Sequence, residues 1–497
     1  MSLKFVPKVK VTDKHSLAVV YTPGVAAACL EIVENQSAAF DYTNRENTVG
    51  VFAFEYEKAL KRAEFLKNAL NIDAVPLEIN TENSDEIKFV VENLEPTFGA
   101  MDLSLLSEYV QNVSFDVEIP VLKGQTDNLK EFFLCVSKNA FIPDLNKLSG
   151  TLGEQSLTLR KMSGGSIESI YTKEPHIKPI GVISEGSAVL GLGNIGAFAA
   201  LPVMEGKSVL FSSLADLSAI PICIKEQNIE KFVKIVSLIK NSFSAINLED
   251  ITAPNCFEIE KKLSAKLEIP IFHDDAHGTS IVVTAGIINA LKVVGKDLDK
   301  IKIVMSGAGA AGCTIAKLLL EAGAKNLIVC DREGALANNK IHQKSNHAEM
   351  AKLTNPNLET GTLKEVLRGA DLFIGVSAPD LLDENDIKHM AKDAIVFALA
   401  NPIPEIMPEI AEEAGAKVVS TGRSDFKNQI NNCLAFPGVF KGLLKYNIKK
   451  ITPEMKLNCA KALANVVSDN ELSKDFIIPD ALDPKVVDAV ADGMNLQ

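Results

Sequence analysis

Residues 301–331, IKIVMSGAGAAGCTIAKLLLEAGAKNLIVCD, decide the fold class of this chain. An apolar run of strand length leads into the glycine pattern at 307–312, a helical stretch follows, and a second apolar run ends at Asp331. A strand, a glycine-rich turn and a helix in this order are typical of a dinucleotide-binding βαβ unit. The stretch therefore predicts a Rossmann-like domain.

The glycines of this pattern each have a physical reason. Gly307 permits the tight turn, and Gly309 lets the backbone approach a pyrophosphate. Gly312 allows the helix and the strand to pack closely, and Ala310 and Ala311 begin the helix whose N-terminus supplies positive potential. The alternative is a glycine-rich turn that binds no ligand, but the flanking strand and helix favour the nucleotide.

Asp331 favours NAD as the dinucleotide. It ends the second apolar run, 19 residues after Gly312, where a carboxylate bonds the ribose 2′-hydroxyl. The neighbouring Arg332 could instead serve a 2′-phosphate, so NADP stays open as the alternative.

Strand-length apolar runs continue toward the C-terminus. They lie at residues 371–376, 394–400 and 417–421 and alternate with helical stretches, as buried strands of a parallel sheet should. This alternation predicts a doubly wound parallel-sheet α/β domain over residues 281–440. Residues 441–497 are predicted to form a helical segment, which we expect to pack on the N-terminal domain.

The part of the chain before residue 281 predicts a second α/β domain with an internal repeat. At an offset of 145, residues 72–107 and 217–252 share 8 identical positions of 36, against about two by chance. We interpret residues 49–179 as an inserted, degenerate α/β copy within an N-terminal domain made of residues 1–48 and 180–280. Convergence of two similar strand patterns is the alternative.

The composition excludes several classes of protein. The 497 residues are 47% hydrophobic and carry a net charge of −13, which argues against disorder and against nucleic acid as a partner. The 8 cysteines form no C-x-x-C pair, which fits a reducing, cytoplasmic compartment. No apolar h-region is visible at the N-terminus, and residues 280–295 are too short and too polar for a membrane span, so we expect no membrane partner.

Two acidic pairs each follow a strand-like run. Glu249 and Asp250 come after one run, and Asp274 and Asp275 come after the next. Ligands of open α/β sheets collect at the carboxyl ends of the strands, and oxygen-rich sites suit Mg²⁺ or Mn²⁺. Acidic pairs alone are more often solvated loop residues, but two pairs after consecutive strands favour a metal site.

Two further patterns are weaker. The glycine pattern GLGNIG at 191–196 lacks an acidic residue at the end of a following strand, so we favour a tight turn near a substrate cleft over a cofactor site. His273 and His277 have the spacing of a zinc-binding helix, but they follow a strand and precede a glycine. We expect these histidines to orient the carboxylates or to pack.

Lys207 and Tyr21 are ambiguous from the sequence alone. Lys207 lies among apolar residues, where burial can lower the pKa of a lysine and let it act as a base. A surface lysine is the alternative. Tyr21 stands in the stretch YTPGV, which by itself assigns it no role.

Together these stretches resemble the malic enzymes, particularly the shorter bacterial-type members. The resemblance spans residues 1–48 and 180–497, and it rests on the motifs LAVVYTPGVAAACLEI (17–32), GSAVLGLGNIGAFAALPVMEGKSVLF (186–211), INLEDITAPNCFEIE (246–260), IPIFHDDAHGTSIVV (269–283), SGAGAAGCTIAKLLL (306–320), FALANPIPEIMPE (397–409) and TGRSDFKNQINNCLAFPGVF (421–440). Their length and number make coincidence an inadequate explanation.

The resemblance implies a role for each matching residue. Tyr21 matches the general acid of the family and Lys207 the general base. The divalent-metal ligands match Glu249, Asp250 and Asp275, and Asp274 lies beside them as a further catalytic residue. Contacts with malate or the cofactor match Asn401 and Asn432, and the nicotinamide-dinucleotide loop matches residues 307–312.

The implied reaction is the oxidative decarboxylation of (S)-malate to pyruvate, with NAD or NADP and with Mg²⁺ or Mn²⁺. A malolactic reaction that releases lactate is one alternative, and a non-catalytic regulatory homologue is another. The resemblance also implies a homodimer or a higher homo-oligomer. Glu185 stands where we expect an aspartate before a glycine. The insert matches no ordinary family pattern, and we expect it to be a structural or regulatory module without catalytic residues.

Overall fold

The computed structural model describes residues 2–124, 149–172 and 177–496 of the chain. Contacts divide the chain into two compact units. The first consists of Met1–Ile251 and Glu258–Ile271, and the second consists of Thr252–Phe257 and Phe272–Gln497.

The first unit holds the strands and helices that precede the dinucleotide motif. Its strands are β1 (Ser2–Pro7), β2 (Thr48–Ala53), β3 (Asp73–Glu78), β4 (Ala100–Asp102), β5 (Val121–Leu122), β6 (Ile167–Thr172), β7 (Ile180–Ser184), β8 (Ala219–Cys223), β9 (Ala245–Leu248) and β10 (Ile271–His273), through which the boundary between the units passes. The α-helices up to that boundary are α1 (Lys14–Val20), α2 (Val25–Glu34), α3 (Ala39–Tyr42), α4 (Tyr56–Leu70), α5 (Ser84–Asn93), α6 (Ser107–Val110), α7 (Leu152–Ser163), α8 (Gly196–Ala215), α9 (Ile229–Ile239) and α10 (Asn255–Lys266). Short 3₁₀ helices lie at Gln36–Ala38, Asn44–Asn47, Glu95–Thr97, Ser104–Leu106 and Lys240–Ser242.

Two four-stranded sheets in this unit have the same strand order. The orders are β3-β2-β4-β5 and β8-β7-β9-β10, while β1 pairs antiparallel with β6 in a separate ribbon. The registers also coincide. Val49 pairs with Ala74 and Ala100, and Ile180, at an offset of 131, pairs with Ala219 and Ala245, each at an offset of 145.

The repeat extends to the ends of the helices. The side chains of Asn83 and Asn228 cap the N-termini of α5 and α9, and these two asparagines are 145 residues apart. The helices α4 and α8 end at Asn71 and Asp216, again 145 residues apart, and both residues adopt a left-handed conformation with φ of 54° and 56°. Short polar side chains tolerate that conformation best, so the same local rule ends both helices.

The second unit contains a six-stranded sheet of the order β13-β12-β11-β14-β15-β16. Its strands are parallel except at the edge, where β13 runs antiparallel to β12; they are β11 (Lys302–Ser306), β12 (Asn326–Asp331), β13 (Gly334–Ala335), β14 (Leu372–Gly375), β15 (Ile395–Ala398) and β16 (Val418–Thr421). The helices are α11 (Asp274–Val294), α12 (Ala310–Glu321), α13 (Ser345–Leu353), α14 (Leu363–Val366), α15 (Glu384–Lys388), α16 (Pro408–Glu413), α17 (Phe436–Lys445), α18 (Pro453–Ala464) and α19 (Pro484–Gly493), with a 3₁₀ helix at Asn432–Leu434. The predicted doubly wound, Rossmann-like α/β domain is confirmed.

The C-terminal segment differs from the expectation that it packs on the N-terminal domain. Its helices α18 and α19 belong to the second unit, where α19 packs on α17 and α18, and α18 packs on α11. Buried apolar residues of α19, such as Val487 and Val490, lie against Gly438 of α17. The apolar stripe of this segment is therefore covered within the second unit.

Two helical stretches, Lys14–Glu34 and Asp274–Val294, are long and apolar enough to cross a membrane by length and composition alone. Inside the protein, 61% and 67% of these stretches are buried, which is common for core helices of globular proteins. They are therefore weak evidence for a membrane span.

Candidate active site

The two acidic pairs lie at the ends of neighbouring strands. Glu249 and Asp250 directly follow β9, and Asp274 and Asp275 directly follow β10, the strand beside β9 in the sheet. One carboxylate oxygen from each of Glu249, Asp250 and Asp275 lies within 4.8 Å of the other two. The predicted solvated-loop alternative is wrong for Glu249 and Asp250, because both are buried.

The backbone and a neighbouring amide fix these carboxylates in place. Asn247 Nδ2 donates a hydrogen bond of 2.8 Å to Glu249 Oε2. Asp250 adopts a left-handed backbone with φ of 56°, and its carbonyl accepts a hydrogen bond of 2.9 Å from the Ala188 amide. Strained backbone of this kind in a non-glycine residue is concentrated at functional sites. The donor set is made of oxygen atoms alone, which fits a hard divalent cation such as Mg²⁺ or Mn²⁺.

Lys207 lies on α8 and is fully buried, so the surface-lysine alternative is wrong. Its Nζ lies 2.7 Å from Glu249 Oε1. The helix is apolar on nearly every side because it runs through the interior of the unit. A buried ammonium needs a charged partner, and Glu249 provides one.

Tyr21 lies at the C-terminal end of α1, with its ring 5.3 Å from Lys207 Nζ. Gly206 makes this approach possible, because a Cβ at that position would lie 2.8 Å from Tyr21 Cδ2. Burial raises the pKa of Tyr21 well above its ordinary value. The phenol therefore keeps its proton at neutral pH, as a general acid must.

Arg160 is a site residue that the sequence did not reveal. It lies on α7, within the insert, and its guanidinium is fully buried. Its Nη1 lies 3.1 Å from Glu205 Oε2, and its Nη2 donates to the carbonyls of Val20 and Pro202, each at 3.1 Å. These contacts join the residue before Tyr21 to the helix that carries Lys207. No pattern in the sequence indicates this pairing.

The glycine loop in the second unit has the form that a pyrophosphate requires. Gly307 has a φ of 112°, and a Cβ at Gly312 would lie 2.0 Å from the Gly307 carbonyl oxygen. Gly309 caps α12 without a side-chain hydrogen bond, and a Cβ there would contact nothing within 4 Å. Ala310 and Ala311 begin α12, so its first amide groups face an open space.

Asp331 lies at the end of β12, as predicted. Its Oδ2 lies 3.0 Å from His347 Nδ1, a contact that the sequence did not reveal because His347 is on α13. Arg332 beside it is exposed. The carboxylate is thus held at the position that a ribose hydroxyl occupies in this fold.

Glu405 is a second residue of this unit that we did not predict. It is buried, and its carboxylate accepts hydrogen bonds from the amides of Ser377 and Ala400 at 2.9 and 3.0 Å. It thereby joins the segments that follow β14 and β15, and Asn401 comes directly after the second. Burial raises the pKa of Glu405. The motif NPIPE at 401–405 is the only sequence signal that could have indicated it.

Asp274 begins α11 and is buried at its first turn. A Cβ at Gly278 would lie 1.8 Å from Asp274 Oδ1 and 3.4 Å from Asn432 Cβ, so glycine makes room for both side chains. Asn432 therefore lies beside the first turn of α11.

The two histidines of the HDDAH stretch have different partners. His273 Nε2 lies 3.5 Å from Asp275 Oδ2, whereas His277 Nδ1 lies 2.9 Å from Lys456 Nζ. A helix does begin at Asp274, contrary to our expectation for this segment. A nearby ammonium leaves His277 unsuited to zinc, and the orienting role that we predicted remains for His273.

The second glycine pattern, GLGNIG, forms a tight turn before α8. Gly191, Gly193 and Gly196 have φ values of 78°, 81° and 77°, which only glycine adopts readily. The turn directs the chain into the helix that carries Lys207.

Two family models match this chain. Residues 276–489 match the model described as "Malic enzyme, NAD binding domain", and residues 152–264 match "Malic enzyme, N-terminal domain". The second match includes residues 152–179, which we had assigned to the insert.

Individual relatives agree with these models. The NAD-dependent malic enzyme of Geobacillus stearothermophilus is 52% identical over 63% of this chain, which spans 65% of that relative's length. The bifunctional malic/malolactic enzyme of Bacillus subtilis is 50% identical, with 65% of this chain and 80% of the relative covered. The solved structure of the NAD-dependent malic enzyme from Thermotoga maritima is 35% identical with a TM-score of 0.61, covering 98% of this chain and 94% of that one.

Proposed function

Because this chain belongs to the malic enzyme family, we propose that it is a metal-dependent malic enzyme that converts (S)-malate and NAD⁺ to pyruvate, CO₂ and NADH. The observation that carries the proposal is the buried group formed by Tyr21, Lys207 and Glu249 in the first unit. It combines a proton donor, a potential base and a carboxylate in one place. The names of the relatives support the same reaction.

The residues of the first unit divide the proton transfers between them. Lys207 Nζ takes the proton from the 2-hydroxyl group of malate as the hydride leaves C2. Tyr21 gives its proton to C3 after CO₂ has left. Because Lys207 Nζ lies 5.3 Å from the Tyr21 ring, the proton that Lys207 gained can return to the phenolate. The site then ends the cycle in its starting protonation state.

Glu249, Asp250 and Asp275 are the residues that would hold Mg²⁺ or Mn²⁺, with Asp274 beside them. A bound divalent cation would polarise the oxygen on C2 and so favour loss of CO₂. Glu249 also faces Lys207, so the charge on the lysine depends on what the carboxylates bind.

The second unit would bind NAD. The loop formed by Gly307, Gly309 and Gly312 would hold the pyrophosphate at the N-terminus of α12, and Asp331 would bond the ribose. Asn401 would contact the nicotinamide or malate, and Asn432 would contact malate. NADP is the alternative cofactor, and direct comparison of the two decides it.

A second candidate is the malolactic reaction, which the name of the Bacillus subtilis relative favours. In that reaction the cofactor is reduced and then reoxidised, and lactate is released. A regulatory protein without activity is disfavoured, because Tyr21, Lys207, Glu249, Asp250 and Asp275 are all retained.

We further propose a cytoplasmic location and assembly into a homodimer or a higher homo-oligomer. The cysteines in the described part of the chain are buried and form no disulfide, which supports a reducing compartment. The oligomer is an expectation from the family alone, and light scattering tests it.

Absorbance at 340 nm tests the proposed reaction. Purified protein with malate and Mn²⁺ should reduce NAD faster than NADP, with pyruvate formed in equal amount and with no turnover in EDTA. Consumption of malate with lactate and no net NADH would establish the malolactic reaction instead. No turnover with either nucleotide would contradict the proposal.

A further inference from the structure

The two copies of the α/β layer contact each other through matching hydrogen bonds. The Cys223 amide donates to Thr97 Oγ1, and the Glu78 amide donates to Ser242 Oγ, both at 2.8 Å. Each residue of the second pair is 145 positions from its counterpart in the first, with donor and acceptor copies exchanged. The structure therefore has an internal two-fold relationship of the kind seen between identical subunits.

A second pair of hydrogen bonds obeys the same exchange. The Asn80 amide donates to the Leu238 carbonyl at 2.8 Å, and the Lys225 amide donates to the Asn93 carbonyl at 3.0 Å. Residues 80 and 225, and likewise 93 and 238, are 145 positions apart. Two independent pairs at one offset make the contact self-complementary, as in a symmetric dimer.

The segments before the two sheets extend the repeat. At an offset of 129, Thr22 and Gly24 coincide with Thr151 and Gly153, and the position of Tyr21 holds Gly150. The helices that follow, α2 and α7, pack on each other. A Cβ at Gly24 would lie 3.0 Å from the Leu152 carbonyl oxygen, so the segments are in close contact. Residues 49–179 are therefore not one inserted module but the end of a first copy and the start of a second.

The site residues are divided between these copies. Tyr21 comes from the first copy, whereas Lys207, Glu249 and Asp250 come from the second. The exchanged site has lost every one of these groups: the counterparts of Tyr21, Lys207, Glu249 and Asp250 are Gly150, Arg62, Ser104 and Leu105. Asp275 corresponds to Gln125, which lies outside the described residues.

We propose that this tandem pair forms one composite active site within each chain, in which Tyr21 of the first copy serves Lys207 of the second. Arg160, from the second copy, is the positioning residue that joins them through Val20 O and Glu205. No second chain is required to supply Tyr21. The proposal rests on the proposed function, because it concerns the use of the same residues.

Covalent linkage explains why one site can be lost without loss of the other. In a pair of identical subunits, a substitution of Lys207 would change both sites at once. In a tandem pair the two copies vary independently, so the first can keep its packing role while its polar residues change. Linkage also removes the concentration dependence of the contact.

Co-expression of differently tagged chains tests the proposal. One mixed assembly combines Tyr21→Phe with Lys207→Arg, and the other combines the wild-type chain with the Tyr21→Phe/Lys207→Arg double variant. Lys207→Arg keeps a positive charge opposite Glu249, so the fold is preserved. A site within each chain predicts no activity for the first assembly and about half the wild-type activity for the second.

The opposite pattern would overturn the proposal. If Tyr21 served a neighbouring chain, the first assembly would recover about half the activity and the second would have none. An active wild-type protein that forms no mixed assembly, being a monomer, would support the proposal. An inactive wild-type protein would instead contradict the proposed function, so the two failures are distinguishable.

A pair of variants tests the positioning role of Arg160. Arg160→Met/Glu205→Gln removes both charges but keeps an acceptor for the Asn44 and Ser166 amides that bond Glu205. We expect this folded variant to lose at least about 10-fold in kcat with KM for malate nearly unchanged, and Arg160→Lys to recover part of it. An unchanged kcat, or an equal loss in Arg160→Lys and the double variant, would contradict positioning by the guanidinium.

Discussion

The two copies of the α/β layer, residues 48–124 and 180–271, share a strand order, a register and a mutual contact, but they differ in the residues that follow their strands. In the second copy, Lys207 Nζ lies 2.7 Å from Glu249 Oε1. At the corresponding place in the first copy, Arg62 Nε lies 2.7 Å from Asp102 Oδ2. Both copies keep a buried ion pair, so the packing role of the charges is common to both.

The difference between the two cations separates structure from chemistry. The guanidinium of an arginine stays protonated in proteins and cannot take a proton, whereas a buried lysine can act as a base. The first copy also lacks carboxylates at the positions of Glu249 and Asp250. The same backbone thus serves one copy as scaffold and the other as a reaction site.

Exchanging the two cations should have the largest effect. Lys207→Arg keeps the charge beside Glu249 but removes the base, so we expect kcat to fall about 100- to 10,000-fold. Arg62→Lys, the reverse exchange in the first copy, should leave kcat within about 2-fold of the wild type. Steady-state kinetics with malate measure both. Similar losses in the two variants would contradict the assignment of chemistry to the second copy.

Removing Arg160 should have the next largest effect, on stability. Arg160→Met leaves Glu205 buried without its cation, which should lower the free energy of unfolding by about 3–5 kcal/mol. Adding Glu205→Gln should recover most of this loss, because no buried charge remains. Urea unfolding measures both variants. A loss below about 1 kcal/mol in the single variant would mean that the pair is not buried as described.

The metal ligands offer a matched comparison between the copies. Asp250→Asn should raise the Mn²⁺ concentration for half-maximal turnover by at least about 100-fold, because a ligand oxygen is lost. Leu105→Asn creates the same residue at the corresponding position of the first copy, where we expect no change. Turnover over a range of Mn²⁺ concentrations tests both, and an equal shift in the two variants would contradict a metal site in the second copy alone.

Glu185 should produce the smallest effect, and a pH-dependent one. Burial raises the pKa of Glu185 to about 7, whereas its counterpart in the first copy is Phe54. The folded state binds the proton more tightly than the unfolded state, so stability decreases as pH rises from 5 to 8, by about 2 kcal/mol. Glu185→Gln should remove this dependence and be the more stable protein at pH 8. Thermal unfolding at both pH values measures it, and parallel curves for the two proteins would refute the shift.

Most of the sheet architecture could be predicted because buried parallel strands are continuous apolar runs. Residues 301–305 and 326–330 were expected as strands, and they form Lys302–Ser306 and Asn326–Asp331. The acidic pairs were predictable for a related reason, since the end of a strand fixes where its next residues lie.

The remaining site residues depend on packing between distant segments. Arg160 and Glu205 are 45 residues apart, and His347 meets Asp331 from a different helix. No local pattern encodes such pairs, because the partners are chosen by how the helices pack. The same limit explains why the repeat was first interpreted as an insert: its opening segment retains too few identities to show, while its backbone contacts do.

The most direct test of the central claim is a count of Mn²⁺ bound per chain, by electron paramagnetic resonance during titration of the purified protein. One functional copy predicts one tight site per chain, lost in Asp250→Asn and kept in Leu105→Asn. Two tight sites per chain, or one that survives Asp250→Asn, would contradict the account.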